Sequence, residues 1–193
     1  MQTPPHLPPT LPFVALADAF TPAELDAIEQ YGDRLEPSTA PVGDAQRVGV
    51  DGGIRISQTA WVGRNTDTKW LYERMEKIAV GVNAQVYQFD LTGFSEEFQY
   101  AVYRGPEGGH YDWHVDQSSR IARRKLSFSV QLTDPSDYER GELQLHAGNK
   151  IDIAPKQRGA VICFPSYVLH RITPVTSGTR KSLVVWTSGP KFR

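Results

Sequence analysis

The chain has 193 residues, with 21 Lys and Arg against 22 Asp and Glu and a formal net charge of −1. This balance excludes a general attraction to nucleic acid or to an anionic membrane, and the lone cysteine, Cys163, excludes an intrachain disulfide. No apolar run reaches the roughly 20 residues of a membrane helix. We expect one domain over residues 1–193, in the cytoplasm, with no membrane or nucleic-acid partner. A local basic patch could still form from Arg120, Arg123, Arg124 and Lys125.

The N-terminal part predicts an arm, a strand and a helix. Residues 1–12 hold five prolines, which favours an extended arm, and they lack the basic start and apolar core of a secretory signal. Residues 13–20 are mostly apolar and predict a strand. The run Thr21–Glu24 is a capping box with proline in its first turn, so we expect a helix that begins here and ends before Pro37.

The rest of the chain predicts one more helix and many strands. Residues 55–62 read as a strand, and residues 65–82 as a helix with a buried stripe that includes Trp70 and Met75. Residues 126–132 alternate between apolar and polar, which predicts one buried face. Strands of this spacing, separated by Gly and Pro, indicate a mainly β sandwich or barrel with supporting N-terminal helices. The candidate strands are 85–91, 97–104, 111–116, 125–132, 142–147, 150–154, 159–164, 169–175 and 180–187.

His114 and Asp116 are the strongest candidate metal ligands. They are separated by one residue, so an extended backbone points both side chains to the same face. The best third ligand is His170, further along the chain. Two imidazoles and one carboxylate on one face leave coordination positions open, which is typical of non-haem Fe(II) oxygenases. An H-x-D triplet alone is weak, because chance supplies many.

Arg180 and Ser182 strengthen this hypothesis. They follow His170 by ten and twelve residues and share one face of a predicted strand. A guanidinium grips a carboxylate with two parallel hydrogen bonds, and a hydroxyl adds a third. They could therefore hold the far end of a dicarboxylate whose near end binds the metal. An isolated arginine would instead read as half of a surface salt bridge.

The other histidines are weaker candidates. His6 lies in the proline-rich arm, and His110 follows two glycines beside the proposed site. His146 could line a pocket, but a structural role is the commoner one. We therefore assign the metal site to His114, Asp116 and His170.

Three segments resemble the Fe(II)/2-oxoglutarate-dependent dioxygenases of the prolyl-hydroxylase superfamily. Residues 103–116, YRGPEGGHYDWHVD, are similar to that group's Y-x-x-G-x-x-Y-x-x-H-x-D segment. Residues 132–143, LTDPSDYERGEL, resemble a stretch of the bacterial PKHD-type hydroxylases, and so do residues 159–180, GAVICFPSYVLHRITPVTSGTR. The resemblance spans about residues 55–190. One departure is Arg140–Gly141, where the family has paired glycines, so the shape of that loop is open.

The resemblance implies a double-stranded β-helix, a distorted jelly roll. It implies that His114, Asp116 and His170 bind Fe(II), and that Arg180 holds 2-oxoglutarate. Tyr103 matches a tyrosine that often hydrogen-bonds this cosubstrate, and Ser182 and Trp186 are further contacts. The reaction so implied consumes O2, hydroxylates an unactivated C–H bond, and releases succinate and CO2. The presence of Asp116 argues against a halogenase.

The substrate is the least determined part of the prediction. Arg55, Ser57 and Trp61 lie in a segment that resembles a strand of prolyl hydroxylases, although core packing is the commoner role for Trp61. We expect a prolyl residue of a peptide or protein, bound in a cleft of aromatic residues. The alternatives are a free amino acid or small metabolite, a nucleic-acid demethylase, and a non-catalytic metal-binding or ligand-binding jelly roll. The oligomeric state is open. The cleft candidates are Tyr111, Trp113, Tyr138 and Tyr167.

Overall fold

The structure, a computed structural model, describes residues 12–37, 53–117, 123–146 and 148–191. Nearly all of the predicted proline-rich arm therefore lies outside the described residues, as do most of the turns placed between the first helix and residue 53.

Two helices and twelve strands make up the regular structure of the described residues. The helices are α1, Pro22–Asp33, and α2, Lys69–Val82, and a π-helical turn, Asn83–Tyr87, extends α2. The strands are β1 Val14–Leu16, β2 Arg55–Ile56, β3 Gln58–Val62, β4 Phe98–Arg104, β5 His110–His114, β6 Arg124–Gln131, β7 Tyr138–Arg140, β8 Leu143–His146, β9 Ile151–Ile153, β10 Val161–Pro165, β11 Leu169–Ile172 and β12 Val175–Ser188.

The strands form two antiparallel sheets. The large sheet has the order β1-β10-β6-β12-β4-β3, with β7 paired to the start of β12, and the small sheet has the order β2-β5-β11-β8-β9. The prediction of a mainly β fold with supporting N-terminal helices is confirmed. None of the helices among the described residues is long and apolar enough to cross a membrane.

Helix α1 begins where local chemistry predicts. The Thr21 side chain accepts a hydrogen bond from the Glu24 N–H, and the Glu24 carboxylate accepts one from the Thr21 N–H at 2.8 Å. These two bonds satisfy donors that the first helical turn leaves unpaired. Arg74 of α2 then donates to Glu24 at 2.6 Å, which ties the two helices together.

Both faces of the large sheet are buried. One face packs on the helices in an apolar cluster that includes Leu126, Val130 and Leu183, while the other faces the small sheet across a second cluster. On β6 the prediction that one face is buried is confirmed, and the other face is buried as well. Ser127, with no exposed area, and Gln131, 2% exposed, are buried on the side of the small sheet. A polar surface inside the sandwich positions the site.

Two of the predicted strands differ in the structure. Residues 55–62 divide at Ser57 into β2 and β3, which belong to different sheets. Residues 85–91 form no strand: they begin inside the π-helical turn, which ends at Gln88 with φ +55°. The Asn83 side chain stabilises this exit by bonding both the N–H and the C=O of Phe89 at 2.9 Å. In this segment the hydrogen bonds of the Asn83 side chain satisfy the backbone groups of Phe89 that a strand would pair with a neighbouring strand.

Candidate metal and cosubstrate site

His114, Asp116 and His170 meet at one end of the space between the sheets. His114 and His170 are directly opposite each other in the pairing of β5 with β11, and their rings lie 4.1 Å apart. The His114 Nε2 lies 3.8 Å from one Asp116 oxygen, and the His170 Nε2 lies 3.6 Å from the other. The three ligand atoms all lie within 4.8 Å of one another, so one ion could bind all three.

Both imidazoles are oriented by the backbone. The His114 Nδ1 lies 2.7 Å from the Asp112 C=O, and the His170 Nδ1 lies 2.9 Å from the Val168 C=O. A carbonyl accepts only, so each Nδ1 carries a proton, and in the neutral form of each ring Nε2 presents its lone pair toward Asp116. Burial, with the nearby His170 ring as a second cause, lowers the pKa of His114. The ring is therefore neutral, as metal binding requires.

Asp116 lies beyond the end of β5 and is held by other means. Its N–H donates to the Ser166 C=O at 2.9 Å, and the Ser127 hydroxyl donates to its carboxylate at 2.7 Å. Burial alone would raise the pKa of Asp116, but the charged forms of the two imidazoles, Arg124 and the Ser127 hydrogen bond outweigh it and lower the pKa. The carboxylate is thus ionised. Two imidazoles and one carboxylate are a donor set that fits Fe(II).

Arg180 is buried in the large sheet with 1% of its surface exposed. It donates to the Ser182 hydroxyl at 3.2 Å and to the Gln131 side-chain oxygen at 2.9 Å, and its carbon Cζ lies 5.4 Å from the Tyr103 ring centre. Its Nε finds no hydrogen-bond partner, and no carboxylate among the described residues pairs with it. A buried cation in this state fits a ligand carboxylate, such as the far end of 2-oxoglutarate.

One cavity joins the two groups. The three candidate metal ligands, Tyr103 and Ser182 all line it. Tyr111 and Trp186 also line it, and the Tyr111 ring stacks on His114 at 3.5 Å. A larger cleft lies between α1 and α2, beside Tyr31 and Trp70, but the candidate ligand cluster lies outside it. Chemistry rather than size therefore identifies the site. Among the described residues, the structure brings every sequence-predicted ligand and cosubstrate contact to this cavity or directly behind it.

The predicted basic patch does not form from its described members. The Arg124 side chain turns inward, bonds the Glu96 carboxylate, and lies 3.7 Å from the Trp186 ring centre. It also donates to the Asp116 C=O at 3.3 Å. Lys125 is only 3% exposed, which leaves Arg123 exposed, while Arg120 lies outside the described residues. Arg124 therefore contacts Trp186 and Asp116, which line the cavity, and does not contribute to a basic surface patch.

The predicted aromatic cleft divides into separate places. Tyr111 lines the cavity, while Tyr138 is 5% exposed and lies beside Arg180. Tyr167 is 49% exposed, and Trp113 packs against His146 on the outside of the small sheet. The four therefore do not form one surface.

The structure also shows where the remaining candidates lie: Trp61, Cys163 and the two other histidines among the described residues, His110 and His146. The preference for a core role of Trp61 is wrong: it is 37% exposed, with its ring 6.4 Å from that of Trp186. His146 is exposed and is not among the residues that line the cavity of the candidate ligands, and His110 bonds the Gly108 C=O. Cys163 is fully buried in the core.

The Arg140–Gly141 pair takes the left-handed conformation twice in succession, with φ +59° and +62°. A side chain at Gly141 would meet Arg180 Cδ at 3.1 Å and Val175 at 2.9 Å. Glycine is therefore required at position 141, where the chain passes closely over Arg180. Arg140 takes a left-handed conformation that favours glycine, and its side chain therefore puts strain on the backbone.

Several residues of the site were not predicted from the sequence. Gln131 bonds Arg180, Ser127 bonds Asp116, and Glu96 pairs with Arg124. A signal existed for the first two: they are polar members of the alternating strand at residues 126–132, although the alternation did not show what the polar side chains contact. No local pattern marks Glu96, which lies far from Arg124 in the sequence.

The comparisons with known proteins agree with this geometry. The 2OG-Fe(II) oxygenase superfamily model matches residues 98–188. A PKHD-type hydroxylase of Synechococcus sp. strain CC9605 is 30% identical over 168 residues, which is 84% of this chain and 72% of the relative. The chain belongs to this superfamily. The PKHD-type hydroxylase of strain CC9902 is 44% identical over 88 residues, 44% of this chain and 39% of the relative. The enzyme class, a 2-oxoglutarate-dependent hydroxylase, is confirmed at the level of family.

Two solved structures show the fold. A prolyl hydroxylase of Trichoplax adhaerens, in complex with a hypoxia inducible factor peptide fragment, has a TM-score of 0.75 and 20% identity, covering 92% of this chain and 84% of its own. A Pseudomonas putida prolyl-4-hydroxylase has a TM-score of 0.70 and 19% identity, covering 93% of both chains. The predicted double-stranded β-helix is confirmed by these likenesses. The cytoplasmic location stays a prediction.

Proposed function

We propose that this protein is an Fe(II)- and 2-oxoglutarate-dependent dioxygenase that hydroxylates a prolyl residue of a peptide or protein. The observation that carries the proposal is the convergence of two imidazoles and one carboxylate, whose ligand atoms lie within 4.8 Å of one another, beside the buried Arg180. Bound Fe(II) and 2-oxoglutarate would supply, with O2, the oxidising chemistry, leaving succinate and CO2 as coproducts.

The protein's own residues have distinct roles in this proposal. His114, Asp116 and His170 hold the metal on one side and leave the opposite side for ligands. Arg180, with Ser182 and Tyr103 beside it, binds the far carboxylate of the cosubstrate and so fixes its orientation. The apolar walls keep bulk water from the cavity.

The prolyl substrate is supported by two observations. The solved structures with this fold include prolyl hydroxylases, one of them in complex with a peptide fragment. The cavity wall also includes Tyr111 and Trp186, flat surfaces on which a pyrrolidine ring could lie. A free amino acid is the alternative, and the products distinguish the two.

The test combines a peptide screen with a pair of histidine variants. The protein is incubated with Fe(II), 2-oxoglutarate, O2 and a proline-rich peptide library, and products are scored by mass for one added oxygen and by succinate release. We expect both signals in the native protein, near-complete loss in His114→Ala, and no change in His146→Ala, an exposed histidine outside the cavity. Equal succinate release by the His114→Ala and native proteins would contradict the metal assignment. Hydroxylation of free amino acids but of no peptide would move the substrate to the alternative.

A further inference from the structure

Arg55 is a second arginine buried beside the cavity. It lies on β2, the edge strand of the small sheet, yet only 7% of its surface is exposed. Its Nε donates to Ser57 at 2.6 Å, and its Nη2 donates to the Gln99 side-chain oxygen at 3.0 Å. Its carbon Cζ lies 4.6 Å from the ring centre of Tyr111. Gln99 and Tyr111 line the cavity, so Arg55 directly contacts two of its lining residues.

Arg55 has no negative partner among the described residues. Both of its acceptors are neutral, and these two bonds leave Nη1 to donate to a ligand. A guanidinium remains charged in proteins, and a buried charge without a counter-charge is costly. Other partly buried arginines differ in this respect, because a carboxylate of the same chain accepts from each: they are Arg74, Arg124 and Arg158.

With Fe(II) and 2-oxoglutarate bound, the formal charges of the groups at and beside the cavity would sum to +1. The two negative charges of 2-oxoglutarate and the one of Asp116 neutralise the two positive charges of Fe(II) and the one of Arg180. Arg124 and Glu96 neutralise each other. Arg55 is then the one unbalanced charge among the groups that we place at or beside the cavity.

We propose that Arg55 binds a carboxylate of the primary substrate, which makes it a residue that selects acidic over neutral substrates. This inference rests on the proposed function and narrows its substrate class. The carboxylate could belong to a free amino acid, to the C-terminus of a peptide, or to an acidic side chain next to the target residue. In each case Nη1 of Arg55 would donate to it, and Ser57 and Gln99 would hold the guanidinium in place.

The test measures binding without turnover. Protein loaded with Fe(II) and 2-oxoglutarate is titrated under argon, by calorimetry, with three matched pairs of probes. These are L-proline and L-prolinamide, one proline-containing pentapeptide with a free or an amidated C-terminus, and the amidated pentapeptide with Asp or Asn beside the proline. We expect the acidic member of at least one pair to bind about tenfold or more tightly, as for a charged hydrogen bond in a buried site. The pair that responds identifies the source of the carboxylate.

Two variants assign the preference to Arg55. In Arg55→Gln the ratio of affinities falls to about one, while Arg64→Gln keeps the native ratio; Arg64 also lies over a tyrosine ring, Tyr72, but at the helices. Circular dichroism checks the fold. If Arg55→Gln does not fold, Arg55→Met, which also removes the charge, decides: a reduced ratio supports the proposal and an unchanged ratio overturns it. Equal binding within all three pairs by the native protein, or a native ratio in Arg55→Gln, also overturns it.

Failure of the proposed function would be visible separately. Succinate release is measured with the same probes in air. Absence of succinate together with an Arg55-dependent acid preference would overturn the oxygenase assignment and support the carboxylate site. Succinate release without any acid preference would overturn the Arg55 assignment alone.

Discussion

The two faces of the large sheet are both buried, but they are built for different purposes. Toward the helices, the strands present hydrocarbon such as Leu126, Val130 and Leu183, each without exposed surface. Toward the small sheet, the same two strands present Ser127, Gln131 and other polar groups that converge on the cavity. The first face resembles an ordinary protein core. The second is an interior that accepts polar groups because each finds a partner or awaits a ligand.

This difference separates stability from function on a single strand. Leu183 and its neighbour Ser182 are both buried, but they point to opposite sides of β12. A substitution on the apolar side should therefore lower the free energy of unfolding, whereas one on the polar side should change ligand affinity. Four variants test this division.

The largest effect on stability is expected for Leu183→Ala. The change removes a fully buried side chain from the apolar cluster and leaves a cavity, which lowers the free energy of unfolding by about 3 kcal/mol. Urea unfolding measures this loss, and calorimetry of the Fe(II)-loaded protein should give an unchanged affinity for 2-oxoglutarate. A large change in that affinity would show that the faces are not independent.

Arg180→Met should do the reverse. The affinity for 2-oxoglutarate falls by about 100-fold, because a charge-assisted pair to a buried carboxylate is lost. The ligand-free protein should be as stable as the native one or more stable, since an uncompensated buried cation is replaced by an apolar side chain of similar length. Urea unfolding and calorimetry again give both numbers. A clear loss of stability with normal 2-oxoglutarate binding would assign Arg180 to the core.

Ser127→Ala should have an intermediate effect. The hydroxyl that donates to Asp116 at 2.7 Å disappears, and the affinity for Fe(II) should fall by about tenfold, as when other supporting partners of metal ligands are removed. An anaerobic metal titration measures it. Ser136→Ala, which changes an exposed hydroxyl in a surface turn, is the control and should leave the affinity unchanged.

The smallest effect is expected for Arg140→Gly. This change places glycine at a left-handed backbone position, φ +59°, and relieves the strain of a side chain there, so the free energy of unfolding should rise by about 0.5 kcal/mol. Thermal unfolding detects it. Gly141→Ala, one position later, should instead lower both stability and 2-oxoglutarate affinity, since its methyl group meets Arg180.

The sequence predicts best what is local. Helix α1 could be placed because its start depends on Thr21 and Glu24 alone, three residues apart. The spacing of His114 and Asp116, with the segment around His170, was enough to name the candidate ligands and the family. In both cases the informative residues lie close together in the chain, or recur in a recognisable segment.

The partners of these residues could not be predicted, because they depend on strand register. Gln131 reaches Arg180 because Gln131 is paired with Ser182 across β6 and β12. The alternation of β6 was visible, but a polar stripe that faces solvent and one that faces a cavity look alike in a sequence. Trp61 was misplaced for a related reason, since the pattern does not show which strand lies at an edge. β3 is an edge strand of the large sheet.

The pairing of strand β12 links the stability of the fold to the binding of the cosubstrate, so an error in its register would affect both. It runs for 14 residues, from Val175 to Ser188, and pairs with β7, β4 and β6. A shift of one position would turn Lys181 toward the cavity and Arg180 into hydrocarbon. A chain with this register shift would lose apolar burial and the cosubstrate-binding position of Arg180 together. We therefore expect no stable mispaired form that is folded but inactive.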